Sequence, residues 1–321
     1  MKTRITIYLT FLLIFLGKSQ VFCQQEPQYA QYMYNIQSIN PAYTGTESHL
    51  SLLALYRSQW VGIEGAPRTQ ILSVHSPFGN HVGLGLNITN DEIFIAQSTY
   101  IATNFSYKLT ISDRSILSFG IKAGGKLTSI DSNRLNHGAE SSGDQSANFS
   151  DYNSFTPQIG FGIFYYTNKM YLGFSIPEIL DSKKFIRNEN KQHIYVSEKA
   201  HYNFLAGYTT AINRNIDFRP SALIKIVKGA PLQLDLSTNF IFYEKLTLGT
   251  AYRWDATLSA LAAFQITDSL LLGLAYEVET SKLQQYNGSS SEFILRYNFV
   301  NSRKKSIRQL GEALTHVERP N

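Results

Sequence analysis

The sequence contains few residues whose types and spacing could support catalysis or metal binding. Its seven histidines form no H-E-x-x-H or H-x-H pattern. His75 lies between Ser73 and Ser76, but a Ser–His nucleophile needs a mutual geometry that one short segment does not establish. There is no G-x-S-x-G motif, no P-loop and no metal-binding spacing of Cys and His. We therefore expect no catalytic site, no cofactor and no resident metal.

Residues 131–154 carry several side-chain oxygen atoms of the kind that bind Ca²⁺. Their spacing does not match the EF-hand loop, which places its ligands at fixed intervals. We interpret this segment as a solvated surface loop. A hydrolase that uses His75 is the least favoured functional class.

The composition indicates a folded chain without a highly charged surface. Charged residues make up 17% of the 321 residues, against roughly 25% in an average soluble domain. Aromatic residues make up 13%, a proportion that argues against disorder. The net charge of +5 is small and scattered, so we expect no nucleic-acid partner. One cysteine permits no intrachain disulfide.

Residues 1–23 have the features of a secretory signal peptide. Lys2 and Arg4 form a positive start, and Ile5 to Leu16 form an apolar stretch of the usual length. We predict cleavage after Cys23. An uncleaved anchor and a lipoprotein are the alternatives, although Phe22 before Cys23 does not fit a lipobox.

No apolar run after Cys23 approaches 18 residues, so we expect no transmembrane helix. Several segments instead alternate apolar residues with Gly, Ser, Asn and charged residues, as in 82–89, 117–124, 232–240 and 293–299. Small polar residues suit the crowded lumen of a barrel, and the apolar face then meets lipid. The pattern predicts an all-β, transmembrane antiparallel β-barrel of the outer membrane. A soluble all-β protein is the alternative.

The alternation predicts about 14 strands across residues 48–300. The predicted strands are 48–57, 69–77, 82–91, 98–109, 115–130, 155–167, 169–176, 200–212, 215–227, 232–243, 246–254, 257–267, 269–280 and 291–300. The connections after even-numbered strands are short, whereas 58–68, 131–154, 177–199 and 281–290 are long. Short turns on one side and longer loops on the other are typical of outer-membrane barrels, which place the short turns in the periplasm.

Aromatic and charged residues fall on opposite faces of the predicted strands. Outward aromatic residues near the short turns predict an interfacial girdle: Tyr107, Tyr165, Tyr208, Phe242, Phe264 and Phe299. Inward charges of both signs include Arg57, Lys108, Asp235, Arg253, Glu277 and Arg296. Such charges either pair across the lumen and hold it shut, or line a path that selects a solute or grips a peptide.

Two segments lie outside the predicted strands. Residues 24–47 are polar and aromatic and form a periplasmic or lumenal N-terminal segment. Residues 301–321 form a basic periplasmic tail in which Ile307, Leu310, Leu314 and Val317 are at helical spacing. A frayed terminus is the alternative for this tail.

Three stretches resemble the PorP/SprF family of type IX secretion outer-membrane proteins, which is found in Bacteroidota. They are QEPQYAQYMYN (Gln25 to Asn35) followed by NPAYTG (Asn40 to Gly45), ALYRSQWVGIEGAPRTQILSVHSPF (Ala54 to Phe78) and the closing LRYNF (Leu295 to Phe299). GLGLNITND (Gly83 to Asp91) and FGIKAGGKL (Phe119 to Leu127) continue the similarity. The resemblance covers essentially the whole mature chain.

The resemblance implies a non-enzymatic component of type IX secretion in the outer membrane. It implies binding of a secreted, C-terminal-domain-bearing surface protein, such as a gliding adhesin, or of the periplasmic motor ring. A channel for small solutes is the alternative. Outer-membrane lipid is the other expected partner. Our candidate partner-binding residues are Tyr29, Tyr32, Tyr34, Asn40, Pro41, Tyr43, Trp60, Arg303, Lys304 and Lys305.

Overall fold

The computed structural model describes residues 27–131, 152–180, 182–187, 193–281 and 288–300. Strand β1 pairs with β17, and β10 pairs with both β7 and β12, so that the sheet closes on itself. Because β10 and β11 are two parts of one interrupted strand, the barrel has 14 strands. The prediction of an antiparallel barrel of about 14 strands is confirmed.

The strands are as follows: β1 Ser51–Ser58, β2 Arg68–Phe78, β3 Val82–Ile93, β4 Ala96–Ser112, β5 Ser115–Ile130, β6 Tyr152–Thr167, β7 Met170–Ile176, β8 Ser182–Arg187, β9 His193–Glu198, β10 His201–Tyr208, β11 Thr210–Asn213, β12 Ile216–Val227, β13 Gln233–Phe242, β14 Leu246–Arg253, β15 Thr257–Gln265, β16 Leu270–Glu279 and β17 Ser290–Asn298. Strands β8 and β9 form a separate two-stranded hairpin. Three short helical turns precede β1: Tyr32–Tyr34, Ile36–Ile39 and Pro41–Tyr43. No helix in the described part of the chain has the length and apolarity to cross a bilayer.

Period-2 alternation assigns each strand residue to the lumen or to the outside. In β1, Leu53, Leu55 and Arg57 are buried, whereas Leu52 and Tyr56 are exposed. The same alternation recurs in β13 and β16. The pattern arises because successive side chains in a strand point to opposite faces. Apolar residues therefore cover most of the outside, whereas the lumen face carries Gly, Ser, Asn and charged residues together with buried apolar residues such as Leu53 and Leu55.

The two ends of the barrel differ in their connections, as predicted. At one end, here called the short-turn end, tight turns follow β2, β4, β6, β11, β13 and β15. At the other end, here called the long-loop end, lie the connections 59–67, 131–151, 177–200 and 280–289. The link after β3 is shorter than predicted: β4 begins at Ala96, and the turn consists of Phe94 and Ile95, with a positive φ of 54° at Phe94.

The predicted strand 200–212 is interrupted at Thr209, which separates β10 from β11. The pairing with β12 omits Arg219 and Pro220 at the same level. Proline has no backbone N–H to donate to a neighbouring strand, so the ladder breaks beside Pro220. The segment 177–199, which we predicted as a loop, contains the hairpin β8–β9.

The predicted girdle residues lie on the outer face near the short-turn end. Tyr107, Tyr208, Phe264 and Phe299 are exposed, and Tyr165 and Phe242 are half-buried. The predicted signal peptide and the basic tail after Val300 lie outside the described residues, as does most of the segment 131–154.

Candidate functional site

Residues 28–47, here called the luminal segment, run through the inside of the barrel. Near the long-loop end, the Gln28 Nε2 donates to Gln233 Oε1 at 2.6 Å. Near the short-turn end, the Lys108 Nζ donates to the Gly45 carbonyl at 2.7 Å. The segment therefore occupies the lumen along most of its length and leaves at the short-turn end, where β1 begins.

Five charged residues from the wall meet near the long-loop end and form what we call the luminal charge cluster: Arg57, Asp235, Arg253, Glu277 and Glu292. The Arg57 guanidinium pairs with Glu292 and, at 2.6 Å, with Glu277. Arg253 pairs with Asp235 at 2.6 Å. Burial of charge is tolerated here because each charge has a partner of opposite sign.

Glu292 connects this cluster to the luminal segment. Its two carboxylate oxygens accept the backbone N–H groups of Ala30 at 2.7 Å and Gln31 at 3.1 Å. The same carboxylate pairs with Arg57 on β1, although Glu292 itself belongs to β17. One buried side chain thus joins the first strand, the last strand and the luminal segment.

The next residue, Tyr32, is 1% exposed and fixes the segment to the opposite wall. Its hydroxyl lies 3.0 Å from the Ser221 hydroxyl and 3.5 Å from that of Ser237. Burial raises the pKa of Tyr32 to about 12, although the two serine hydroxyls oppose that shift. The phenol is therefore neutral at physiological pH and serves as a structural hydrogen-bonding group.

Aromatic packing holds the part of the luminal segment that is nearer the short-turn end. The ring of Tyr43 packs edge-on against Phe164 at 5.5 Å and against His75 at 5.6 Å, and Phe164 stacks on Tyr171. Ile36 and other apolar residues of the segment join the same buried cluster. Edge-to-face aromatic pairs add to the stability gained from burial.

The NPAYTG stretch forms a tight turn inside this cluster. The Asn40 Oδ1 accepts the Ala42 N–H at 2.9 Å, and its Nδ2 donates to the Ile163 carbonyl on β6 at 2.9 Å. Pro41 follows at the start of a helical turn, where its missing N–H costs nothing. A Cβ on the wall residue Gly120 would collide with the backbone of Pro41 and Ala42. The small lumen-facing residues thus make room for this turn.

Glu47 ends the luminal segment among basic side chains. His49 Nε2 lies 3.2 Å from its carboxylate and Arg296 lies 3.7 Å from it, while the Tyr43 hydroxyl donates to it at 3.2 Å. Burial by itself would raise the pKa of Glu47, but the contact with His49 and the charges of Arg296 and His75 outweigh it and hold the pKa well below its usual range. Glu47 is therefore ionised at neutral pH.

The loop that follows β1, at the long-loop end, carries Trp60 and is hydrogen-bonded to its neighbours. Val61 donates its N–H to the Ser289 carbonyl at 2.9 Å, and Phe94 donates its N–H to the Gly65 carbonyl at 2.9 Å. Trp60 has a positive φ of 46° and is half-buried. The loop that follows β1 is thus fastened to both neighbouring turns.

The structure gives most of the predicted partner-binding residues contacts within the chain. Tyr32, Asn40, Pro41 and Tyr43 are buried in the lumen. Tyr29 and Tyr34 are half-buried against Leu53, Leu55, Ile71 and Ile294, and Arg296 lies over the Tyr34 ring. Trp60 is apart from them at the rim, and Arg303, Lys304 and Lys305 lie outside the described residues. Their roles in partner binding stay predictions.

Sequence reasoning missed Glu292 as a key lumenal residue. Its spacing from Arg296, which we placed in the lumen, assigns it to the same face of β17. That spacing was the available signal. The two N–H groups that it binds could not be found in this way, because they belong to a segment without strand periodicity.

The arrangement is suited to holding a segment in place. Among the described residues, no group of three or more His, Cys, Asp or Glu side chains is placed to bind a metal ion. His75 Nδ1 accepts the N–H of Gly45 at 3.3 Å, so this imidazole is engaged with the luminal segment.

The closed barrel, its apolar outer face and its polar lumen define an outer-membrane β-barrel protein. Its fold is similar to that of the Ralstonia pickettii toluene transporter TbuX, with 10% identity, 82% of this chain and 93% of that chain covered, and a TM-score of 0.50. It is also similar to that of Acinetobacter baumannii Omp33, with 8% identity, 80% of this chain and 100% of that chain covered, and a TM-score of 0.48. A Pseudomonas aeruginosa FadL homologue is similar as well, with 12% identity, 82% of this chain and 94% of that chain covered, and a TM-score of 0.48. No curated protein matches the sequence.

The family model described as type IX secretion system membrane protein PorP/SprF matches residues 21–297. The chain therefore belongs to the PorP/SprF family, and the resemblance seen in its sequence is confirmed. It is an outer-membrane protein of type IX secretion.

Proposed function

We propose that this barrel is a non-enzymatic docking component of type IX secretion. It binds a secreted surface protein that carries a C-terminal domain, such as a gliding adhesin, or the periplasmic motor ring. Membership of the PorP/SprF family is the observation that carries this proposal. The filled lumen supports it, because the luminal segment occupies the space through which a solute would have to pass.

The two ends of the barrel are then the surfaces that meet partners. The long-loop end, at which 131–151 and 177–200 connect the strands, is the end that holds the secreted protein. The basic tail 301–321, with Arg303, Lys304 and Lys305, contacts the machinery in the periplasm. Electrostatic attraction suits the tail, because clustered positive charge accelerates association with an acidic surface.

The test is a pull-down of the tagged full-length barrel from native outer membranes in mild detergent, followed by mass spectrometry. We expect a large surface protein or type IX ring components to be recovered with it. An unrelated barrel with the same tag is the control for adventitious capture. Recovery of this barrel alone, under conditions that preserve other envelope complexes, would contradict the proposal.

The tail can be tested with a matched pair of triple variants. One replaces Arg303, Lys304 and Lys305 with glutamine. The other replaces Arg114, Arg214 and Lys245, which are exposed at the short-turn end, in the same way. We expect only the tail variant to lose the ring components. Equal recovery with both variants would remove the tail from the proposal.

The alternative function is a channel for small solutes. A barrel of this size surrounds a lumen that can conduct unless it is filled. Recording from single barrels in planar bilayers separates the two functions. We expect no steady conductance from the intact protein, and a large steady conductance would favour the channel.

A further inference from the structure

Strand β6 extends beyond its neighbour β7 at the long-loop end of the barrel. On one side, β6 pairs with β5 up to Tyr152, which lies opposite Ile130. On the other side, its pairing with β7 stops at Phe161, which lies opposite Ile176. Residues 152–160 of β6 therefore continue past the end of β7 for roughly 30 Å, at about 3.4 Å per residue.

Only the lower part of this extension is covered on the β7 side. Ile179, which follows β7, donates its N–H to the Ile159 carbonyl at 2.8 Å. The Gln158 side-chain amide donates to Glu178. Above Ile159, none of the described strands pairs with this side of β6, because β8 and β9 pair with each other in a sheet of their own. We call residues 153–157 the open edge.

The contact at Ile159 indicates which backbone groups the open edge presents. In a strand, the N–H and C=O of one residue point to the same side, and every second residue repeats that direction. Since Ile159 faces β7, the backbone groups of Pro157, Phe155 and Asn153 point to the open side as well. Proline has no N–H. The open edge therefore offers the carbonyls of all three residues and the N–H groups of Phe155 and Asn153.

The side chains leave this edge accessible. The ring of Phe155 lies over Gly125 of β5, where an added Cβ would be 2.2 Å from a ring carbon, so the ring leans away from the open side. Native sheets protect a free edge with charged side chains, with prolines or with a covering element. The stretch Tyr152–Phe161 has no charged residue and contains Pro157 as its one proline. The edge is thus suited to pairing with another strand.

We propose that the open edge binds an extended segment of the secreted surface protein, which adds a strand to the barrel wall beside β6. The proposal rests on the docking function above, which assigns the secreted protein to the long-loop end. A row of backbone donors and acceptors recognises an extended peptide, because main-chain hydrogen bonds supply the affinity and alternate side chains supply the specificity. Phe155, which is 64% exposed, favours an apolar partner on the outer face, and the buried Thr156 favours a small polar partner on the inner face.

The first test locates the contact by photo-cross-linking. A benzoylphenylalanine residue replaces Phe155 in the full-length tagged barrel, native outer membranes are irradiated, and the cross-linked peptide is identified by mass spectrometry. We expect a peptide from the surface protein that the unmodified barrel retains in mild detergent. The matched control carries the same probe in place of Trp254, an aromatic residue at the long-loop end that is 65% exposed. We expect this cross-link at position 155 and not at position 254.

The second test removes the backbone donors. A double variant, Asn153→Pro with Phe155→Pro, loses both N–H groups of the open edge but keeps the ladder with β5, because these groups point away from β5. Its matched control, Asn153→Ala with Phe155→Ala, shortens the same side chains and keeps the N–H groups. Loss of two ordinary hydrogen bonds corresponds to about a tenfold change in the dissociation constant. We therefore expect the proline variant to recover about tenfold less surface protein than the alanine variant.

Retention of a surface protein by the unmodified barrel separates this proposal from the docking function. If the protein is retained but positions 155 and 254 cross-link alike, or the two double variants recover it equally, the open edge is not its site and the docking function stands. A cross-link to a second barrel, or to residues 132–151 or 182–198 of the same chain, would assign the edge to that occupant and overturn the proposal. If no surface protein is retained, both fail. The cross-link decides alone if the proline variant does not fold.

Discussion

The most informative single perturbation is Glu292→Ala. Glu292 is 1% exposed and has three partners: the Arg57 guanidinium and the N–H groups of Ala30 and Gln31. The substitution leaves Arg57 with Glu277 as its remaining ion-pair partner in the described structure and removes the acceptor of both amides. It therefore tests whether this carboxylate holds the luminal segment in the barrel.

The expected loss of stability follows from these contacts. Removing one partner of a buried ion pair costs about 3–5 kcal/mol. Each buried N–H left without an acceptor costs a further amount of about 1–3 kcal/mol. The three contacts share one carboxylate, so their costs do not add in full. Water that enters the lumen lowers the total as well. We therefore expect the free energy of unfolding to fall by about 3–5 kcal/mol.

The assay is urea unfolding in phospholipid vesicles, followed by the fluorescence of Trp60 and Trp254 and extrapolated linearly to zero denaturant. Native-state hydrogen exchange adds a local reading, because the amides of Ala30 and Gln31 should exchange faster when they lose their acceptor. Glu292→Gln keeps an acceptor oxygen but removes the charge, so its effect should fall between those of wild type and Glu292→Ala.

Glu279→Ala is the matched control. Glu279 is a half-buried carboxylate on the neighbouring strand, and it accepts from the Ser281 hydroxyl at 2.7 Å. Its removal should cost about 1 kcal/mol or less. The reasoning is refuted if Glu292→Ala unfolds at the same urea concentration as Glu279→Ala and its amides keep wild-type exchange rates.

Three further predictions concern the luminal segment. Gly45 has a φ of 68°, and a Cβ there would lie 2.5 Å from the Cα of Gly83. Gly45→Ala should therefore lower the free energy of unfolding by about 2–4 kcal/mol, measured by urea unfolding. Gly62→Ala, with open space around it, should cost only about 1 kcal/mol, and equal costs would contradict the close approach. Tyr32→Phe removes hydrogen bonds to two buried hydroxyls and should cost about 1–2 kcal/mol in the same assay, and an unchanged midpoint would show that these bonds are not formed. Glu47 has a folded-state pKa below its ordinary value of 4.5. It therefore stabilises the barrel above pH 4.5, and this contribution is lost as the pH falls further toward the folded-state pKa. Glu47→Gln should flatten the curve of stability against pH below 4.5, and an unchanged acid dependence would refute this assignment.

The sequence pattern was sufficient to predict the barrel, its strand number and the faces of its strands. Period-2 alternation determines which residues point inward, and this placed Arg57, Asp235 and Glu277 in the lumen correctly. It did not predict the interruption at Thr209, because that break depends on Pro220 in the neighbouring strand. It also underestimated the length of β4, because periodicity does not distinguish the polar ends of this strand from turn residues.

The path of the luminal segment was not predictable from sequence. Its helical turns are three or four residues long, too short to produce a periodic pattern. Its position depends on contacts between residues far apart in the chain, such as Ala30 with Glu292 and Asn40 with Ile163. The same limit explains why the candidate tyrosines were expected at a partner surface, whereas the structure packs Tyr32 and Tyr43 against the lumen wall.

The docking function is tested most directly by deleting the gene for this chain and measuring which type IX substrates reach the cell surface. Surface proteomics of the deletion strain, of the wild type and of the deletion strain complemented with the full-length chain gives the comparison. We predict that a specific surface protein disappears on deletion and returns on complementation. Unchanged surface display of every type IX substrate would contradict the account.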